Sequence, residues 1–520
     1  MNTKPKLLNK ELLLYLLAGI VFFIVCFIRL RFLDVPLERD EGEYAYMGQL
    51  LLQGSLPYTE AYSMKFPGIH FVYALILGIF GQTHAAIHFA LLITNLATSL
   101  LLFLIGRRLF DAPVGIVAGA CFLILTLSPS VKGFWANTEH FLLLPALGGL
   151  LLLGIALEEE NKKQLFTSGF LLGCALLIKQ HGSFFFLFGC VVVAGVYFNK
   201  RPTRWKELLI AIGLFVTGGL MPFMVTVLLY FVTGNLGAFW FWTFEYAFEY
   251  ASMLSLNQGM AAFQYVFMRI LQPNFPILLL SLLGVASVVW NKEIRSKWFF
   301  VCGFLLFSFF AITPGFYFRS HYFILLMPAL ALFAGVGVRS VWSRHSSWRT
   351  VLSLGIAIIS LGVPFFNQQE IFFKLSPVEA SHTIYNGNPF PESIEVANFI
   401  NQKAGPNDEI AILGSEPQIY FYARRKSATG YLYMYPLMEK HGQAHLMQEK
   451  MIRKIENSQP KFIVLVDAAL SWLMRPDSSQ LLTRWYPKYL GERYQLSGVV
   501  MIPYNNPRAK SRLLIFERKI

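Results

Sequence analysis

Apolar runs of roughly the length needed to cross a bilayer recur along the chain, separated by short polar connections. A spanning helix needs about 20 mostly apolar residues. Runs at 11–33, 84–106, 112–128, 139–157, 165–178, 183–198, 207–233, 275–290, 298–313, 321–340 and 349–366 are therefore predicted as spans, eleven in all. Two further stretches, "FPGIHFVYALILGIFG" (66–81) and "FWFWTFEYAFEYASMLSL" (239–256), are apolar but interrupted by Pro, Gly or Glu. They read as amphipathic helices lying along the membrane surface, where aromatic rings are favoured. A true span over 66–81 is the alternative, and it would upset the parity of the crossings.

From Asn367 onward the pattern changes. "ESIEVANFINQKA" has helical spacing, whereas "EIAILGS", "KFIVLVD" and "RLLIFERK" read as strands. The expected fold class is thus a mostly α membrane protein with a C-terminal extracytoplasmic α/β domain. Residues 1–366 form the membrane domain in this reading, and residues 367–520 the second domain.

Composition agrees. Of 520 residues, 55% are hydrophobic and only 14% charged, against roughly 25% charged in soluble domains. The net charge of +14 does not point to nucleic acid, because the basic residues cluster between apolar runs. Lys4, Lys6, Lys10, Arg107, Arg108, Lys162, Lys163, the basic residues of "NKRPTRWK" and "NKEIRSK", Arg339, Arg344 and Arg349 fall in alternate connections. The positive-inside rule places these connections in the cytoplasm. With eleven spans the tail then lies outside, on the far face of a cytoplasmic membrane. The five cysteines all lie in apolar runs without metal-ligand spacing, and read as small packing residues.

On this topology the unusual polar residues gather on the outer side. The first outer connection opens with "RDEGEYAYMGQLL" and carries Asp40, Glu41, Glu43 and Lys65. A second, "SPSVKGFWANTEHF", holds Asn137, Glu139 and His140; a third is "KQHG", with Lys179; and "TPGFYFRSHYF" supplies Arg319, His321 and Tyr322. Ionisable groups near membrane depth are costly and tend to mark function. Each has a plainer reading. Asp40, Glu41 and Glu139 fit helix caps, Lys65 and Lys179 fit snorkelling cations, Arg319 fits a solvated loop, and His181 fits a satisfied polar residue. Together they offer carboxylates to accept a proton and cations to hold an anion.

The stretch from Arg39 through "GSLPY" and "KFPG" resembles the first external loop of polytopic C-type (GT-C) glycosyltransferases that use polyprenyl-phosphate sugars. The nearest branches are the protein O-mannosyltransferase-like family 39 and the bacterial lipid A aminoarabinose transferases. "GRRLFDAPVGIVAGACFLI", "ANTEHFLLLPALGGLLLL", "GFLLGCALLIKQHG" and "FRSHYFILLMPALALFAG" follow the family's order. Two departures are Phe66–Pro67 where the family usually has two prolines, and His321–Tyr322 where it often has Arg-Tyr.

The resemblance implies transfer of a sugar, with inversion, from a polyprenyl-phosphate donor to a lipid, glycan or protein acceptor on the outer face. It implies Asp40 as catalytic base with Glu41 supporting it, and Lys65, Arg319 and Tyr322 at the donor phosphate. Glu139, His140, Lys179 and His321 are supporting candidates. Glu43 is expected on the solvated face of its helix. Relatives differ in binding a divalent metal, and the spacing here does not decide the cofactor. A glycan polymerase or ligase, and a flippase for a lipid-linked sugar, are the competing readings.

Overall fold

The structure, a computed structural model, describes residues 8–200, 205–342, 347–503 and 511–519. Lys4, Lys6, Arg201, Arg204 and Arg344, which carry part of the charge asymmetry, lie outside the described residues. The chain forms two compact units: Met1–Phe32, His88–Val232 and Tyr250–Lys374 make the first, and Leu33–Ile87, Thr233–Glu249 and Leu375–Ile520 the second.

The first unit is helical. All eleven predicted spans fall on helices. By length and composition, however, seven of the described helices are long and apolar enough to cross a membrane: Leu12–Arg31, His84–Leu109, Thr138–Glu159, Gln180–Phe198, Trp205–Val232, Leu256–Ser287 and Trp348–Asn367. The figure of eleven is not reached on this measure. Ala112–Leu127, Trp298–Ala311 and Met327–Val341 are shorter apolar helices; at ~1.5 Å per residue each falls short of a hydrocarbon core of about 30 Å. Ala112–Leu127 is buried along almost all its length, which explains an apolar character on every side without a lipid face. Two boundaries also differ. The run predicted from 275 belongs to a helix that starts at Leu256, behind a Ser255–Gln258 capping box; the run predicted from 321 starts as a 3₁₀ turn, Ser320–Leu325, and becomes α-helical at Met327.

Close backbone approach organises this unit. A Cβ on Gly169 or Gly173 of Lys162–Ile178 would collide with the Phe215 or Gly219 carbonyl of Trp205–Val232. Small residues at such crossings let helix backbones meet where lipid offers no hydrophobic drive between them.

The second unit holds a four-stranded sheet in the order β1-β2-β4-β3, with β1 Ile410–Leu413, β2 Phe462–Asp467, β3 Tyr494–Met501 and β4 Arg512–Arg518. β1 and β2 are parallel, and the other pairs antiparallel. β1 is wholly buried, as its continuous apolar run requires of a parallel strand covered on both faces. The helix Gln418–Ala423 and the longer helix Ala444–Ser458 lie in the crossover between β1 and β2.

The same unit contains helix Arg39–Leu52 and helix Gly68–Phe80. Gly48 of the first meets Tyr73 and Ala74 of the second, and Gly42 meets Gln418. The helix predicted over 239–256 is continuous from Leu236 to Ala251, with a π-helical turn at Phe241–Tyr246, and ends short of 256.

Candidate functional site

Helix Arg39–Leu52 begins with a capping box. The Glu38 carboxylate accepts from the Glu41 N–H, and the Glu41 carboxylate accepts from the Glu38 N–H at 3.2 Å. This satisfies two otherwise orphaned donors of the first turn. The N-cap is thus Glu38, not the Asp40–Glu41 pair of the plainer sequence reading, and Glu41 is its buried partner in the box. At about 100° per residue, Asp40 and Glu43 lie within roughly 60° of each other on the helix, while Glu41 is turned about 100° from Asp40.

Asp40 and Glu43 share one ammonium. Lys65 Nζ lies 2.9 Å from Asp40 Oδ1 and 2.7 Å from Glu43 Oε2. The Tyr433 hydroxyl lies 2.9 Å from the same Asp40 oxygen and 2.8 Å from the same Glu43 oxygen. The Ser63 hydroxyl donates to Glu43 Oε1, and His70 Nε2 stands 3.3 Å from that atom. Lys65 also sits 4.5 Å from the centroid of the Tyr44 ring. Glu43 was expected on a solvated face; its side chain is instead 0% exposed, against 26% for Asp40. The reason is tertiary, since the Ser63–Lys65 segment, His70 and Tyr433 close over that side of the helix.

The charges reinforce one another. Burial pushes the Glu43 carboxyl up, but the Lys65 ammonium and the His70 hydrogen bond outweigh it and hold Glu43 below the usual carboxylate range. Burial likewise works against charge on Lys65, and Asp40 with Glu43 reverses this, raising its pKa. His70 is pushed down by burial, which leaves a neutral imidazole to donate Nε2–H to Glu43.

Backbone pairing carries Tyr433 to this place. Tyr62 N–H donates to the Gly430 carbonyl at 2.9 Å, and Tyr62 and Tyr431 form an isolated parallel bridge. Gly430 takes φ +78°, where a side chain would be strained. At the start of helix Arg39–Leu52, Arg39 donates to Glu416 at 2.7 Å, to Asn388 at 3.1 Å and to the Ser415 carbonyl.

In the first unit a second group forms at the start of helix Thr138–Glu159. Lys179 Nζ pairs with Glu139 Oε1, and lies 4.1 Å from the centroid of the Tyr322 ring. His181 and His321 pack against the same ring at 4.8 and 4.9 Å, and His181 Nδ1–H donates to the Ala311 carbonyl at 2.6 Å. His140 Nδ1 is 3.1 Å from Asn95 Oδ1. Glu139, Lys179, Tyr322 and His321 are thereby brought together. Arg319 takes other partners: it is exposed, donates to the Tyr250 hydroxyl at 2.8 Å, and lies 5.2 Å from the Tyr317 ring centroid. Among the described residues no group of three or more His, Cys, Asp or Glu is arranged to hold a metal ion.

Glu43, Ser63, His70 and Tyr433 were not singled out as site residues from the sequence. The i, i+3 spacing of Asp40 and Glu43 was a usable signal for the first. Tyr433 had none, lying 393 residues from Asp40.

A sequence model described as dolichyl-phosphate-mannose-protein mannosyltransferase matches residues 64–223, a segment that holds Lys65, Glu139 and Lys179 but not Asp40 or Arg319. Among solved structures, ArnT from Cupriavidus metallidurans bound to undecaprenyl phosphate aligns with a TM-score of 0.60 at 15% identity, over 97% of each chain. Its apo state gives 0.59 at 15% identity, over 98% of each. The apo oligosaccharyltransferase of Archaeoglobus fulgidus gives 0.50 at 11% identity, over 86% of this chain and 69% of that one. No curated protein matches the sequence. At these identities the structural likeness establishes the fold, which is that of ArnT. The family match covers under a third of the chain, and over that segment the chain is similar to dolichyl-phosphate-mannose-protein mannosyltransferases.

Proposed function

We propose that this enzyme transfers a sugar, with inversion, from a polyprenyl-phosphate donor to an acceptor hydroxyl on the outer face of the cytoplasmic membrane. The tail, 367–520, lies on that outer face in this reading. The observation that carries the proposal is the inequality within one ion cluster. Asp40 is 26% exposed while Glu43, on the same ammonium, is sealed. A carboxylate beside Lys65 with part of its surface exposed is suited to receive a substrate hydroxyl.

Asp40 accepts the acceptor's proton as its oxygen bonds to the sugar's anomeric carbon. The bond from that carbon to the phosphate oxygen breaks, and the lipid phosphate departs with the electron pair. A base placed this way contributes about 10²–10⁴ in rate. Lys65, Arg319 and Tyr322 are the proposed ligands of the donor phosphate. An ammonium has three N–H donors, so Lys65 retains one beyond the two carboxylates. Glu139, His140, Lys179 and His321 are the proposed supporting shell. The undecaprenyl phosphate bound in ArnT supports a polyprenyl-phosphate donor.

The test is a deletion strain complemented with wild type or Asp40→Asn, with envelope glycolipids and glycoproteins compared by mass spectrometry. Wild type should restore a sugar-sized mass shift that Asp40→Asn restores only marginally, at equal expression and with undecaprenyl phosphate binding intact. A fully active Asp40→Asn would remove the catalytic assignment.

A further inference from the structure

We infer that Glu43, rather than Glu41, is the second carboxylate of the proposed site, acting as a positioning residue that holds Lys65 and Tyr433 in the arrangement Asp40 requires. The inference rests on the reading of Asp40 as base and adds what keeps that base competent.

Asp40 and Glu43 project from one face of helix Arg39–Leu52, and Glu41 is spent on the Glu38 cap. The Glu43 carboxylate is fully engaged, with Ser63 and His70 on one oxygen and Lys65 and Tyr433 on the other. A carboxylate with no exposure and this many donors meets no substrate; it fixes what surrounds it.

Two consequences for Asp40 follow. First, Lys65 is shared between two carboxylates rather than held by Asp40 alone. Removing the Glu43 charge lets Lys65 close onto Asp40 alone and compete with the incoming hydroxyl. Second, the Tyr433 hydroxyl has one proton and stands almost equally far from both acceptors, at 2.9 and 2.8 Å. It can turn from Asp40 to Glu43 without losing a hydrogen bond, which clears a lone pair on Asp40 Oδ1 for the acceptor. Glu43 gives the phenol somewhere to go. The depressed pKa of Glu43 fits this role, because a carboxylate that stays ionised does not take the substrate proton itself.

The experiment uses the full-length protein in detergent and three readouts. Acylation of Lys65 by an amine-reactive reagent is quantified by mass spectrometry against the exposed Lys440, binding of undecaprenyl phosphate is measured directly, and product formation is read in the complemented strain. Glu43→Gln should raise Lys65 acylation about tenfold, because the ammonium loses one of the two carboxylates that favour its charged form. Undecaprenyl phosphate binding should stay at least as tight, while product falls about 10²-fold, the scale expected when a catalytic group is misplaced. Tyr433→Phe, which keeps both charges, should lower product with Lys65 acylation unchanged, and serves if Glu43→Gln does not fold. Folded Glu43→Gln protein with wild-type acylation and wild-type product overturns the inference, as does full activity in Tyr433→Phe. Should Asp40→Asn prove active, the base assignment has failed, and Lys65 acylation, which needs no transfer, still reports whether Glu43 holds the ammonium.

Discussion

Asp40 and Glu43 are similar acids three positions apart whose environments give them different work. One keeps a quarter of its side chain exposed, and the other is closed in by Lys65, Tyr433, Ser63 and His70. The expected order of sensitivity is Asp40→Asn first, Glu43→Gln next and Glu41→Gln last, because Gln at the third helical position still completes a capping box. Product measured in the complemented strain checks this order. For the donor, Arg319→Ala should weaken undecaprenyl phosphate binding by about 1.5–3 kcal/mol, the range for a hydrogen bond to a charged group. Arg319→Lys should recover only part, since Lys lacks the planar fork; equal affinity in all three proteins removes Arg319 from the site. Elsewhere, burial raises the Glu392 pKa from 4.5 to about 7, with His382 Nε2 at 3.3 Å. The folded state therefore binds a proton more tightly than the unfolded chain. Its contribution to stability is full below about pH 4.5 and is lost as pH rises through about 7. The melting temperature of wild type should fall over that window more steeply than that of Glu392→Gln, and parallel curves would exclude the residue as the cause.

At the scale of elements, glycine positions separate crossings between helices from faces without neighbours. Gly173 packs directly on the Gly219 backbone, whereas a Cβ at Gly213, on the same helix as Gly219, would meet no other atom within 4 Å among the described residues. Gly173→Leu is expected to cost about 1–3 kcal/mol through overpacking, or more where the helices separate. Gly213→Leu should be tolerated. Thermal unfolding in detergent distinguishes them, and equal melting temperatures would contradict the close crossing. The helix that carries Asp40 depends on its cap in the same way. Glu38→Ala frees the Glu41 N–H and should cost about 0.5–2 kcal/mol, read as a lower melting temperature.

At the scale of the whole molecule, the prediction concerns sidedness. In a cysteine-free background, Lys440→Cys, at a side chain 79% exposed, should react with a membrane-impermeant maleimide in intact cells. Ser296→Cys, in the basic connection "NKEIRSK", should react only after permeabilisation; the reverse pattern would put the tail and the proposed site on the cytoplasmic side. The membrane class and the α/β character of the tail were legible in the sequence, because both follow from local rules. In lipid a helix must satisfy its backbone within itself, so a long apolar run suffices to announce one, and an isolated run such as "KFIVLVD" between helical stretches announces a buried strand. Asp40, Lys65, Glu139 and Lys179 could be singled out because charge beside hydrocarbon is costly wherever it occurs. The structure added what depends on neighbours distant in sequence: that Glu43 rather than Glu41 shares Lys65, that Tyr433 arrives from 393 residues away to join Asp40, that several apolar helices are too short to cross alone, and that Leu33–Ile87 packs into one compact unit with the tail. Spacing fixes which face of a helix a side chain occupies; only the segments packed over that face decide whether it meets water, a cation or another acid.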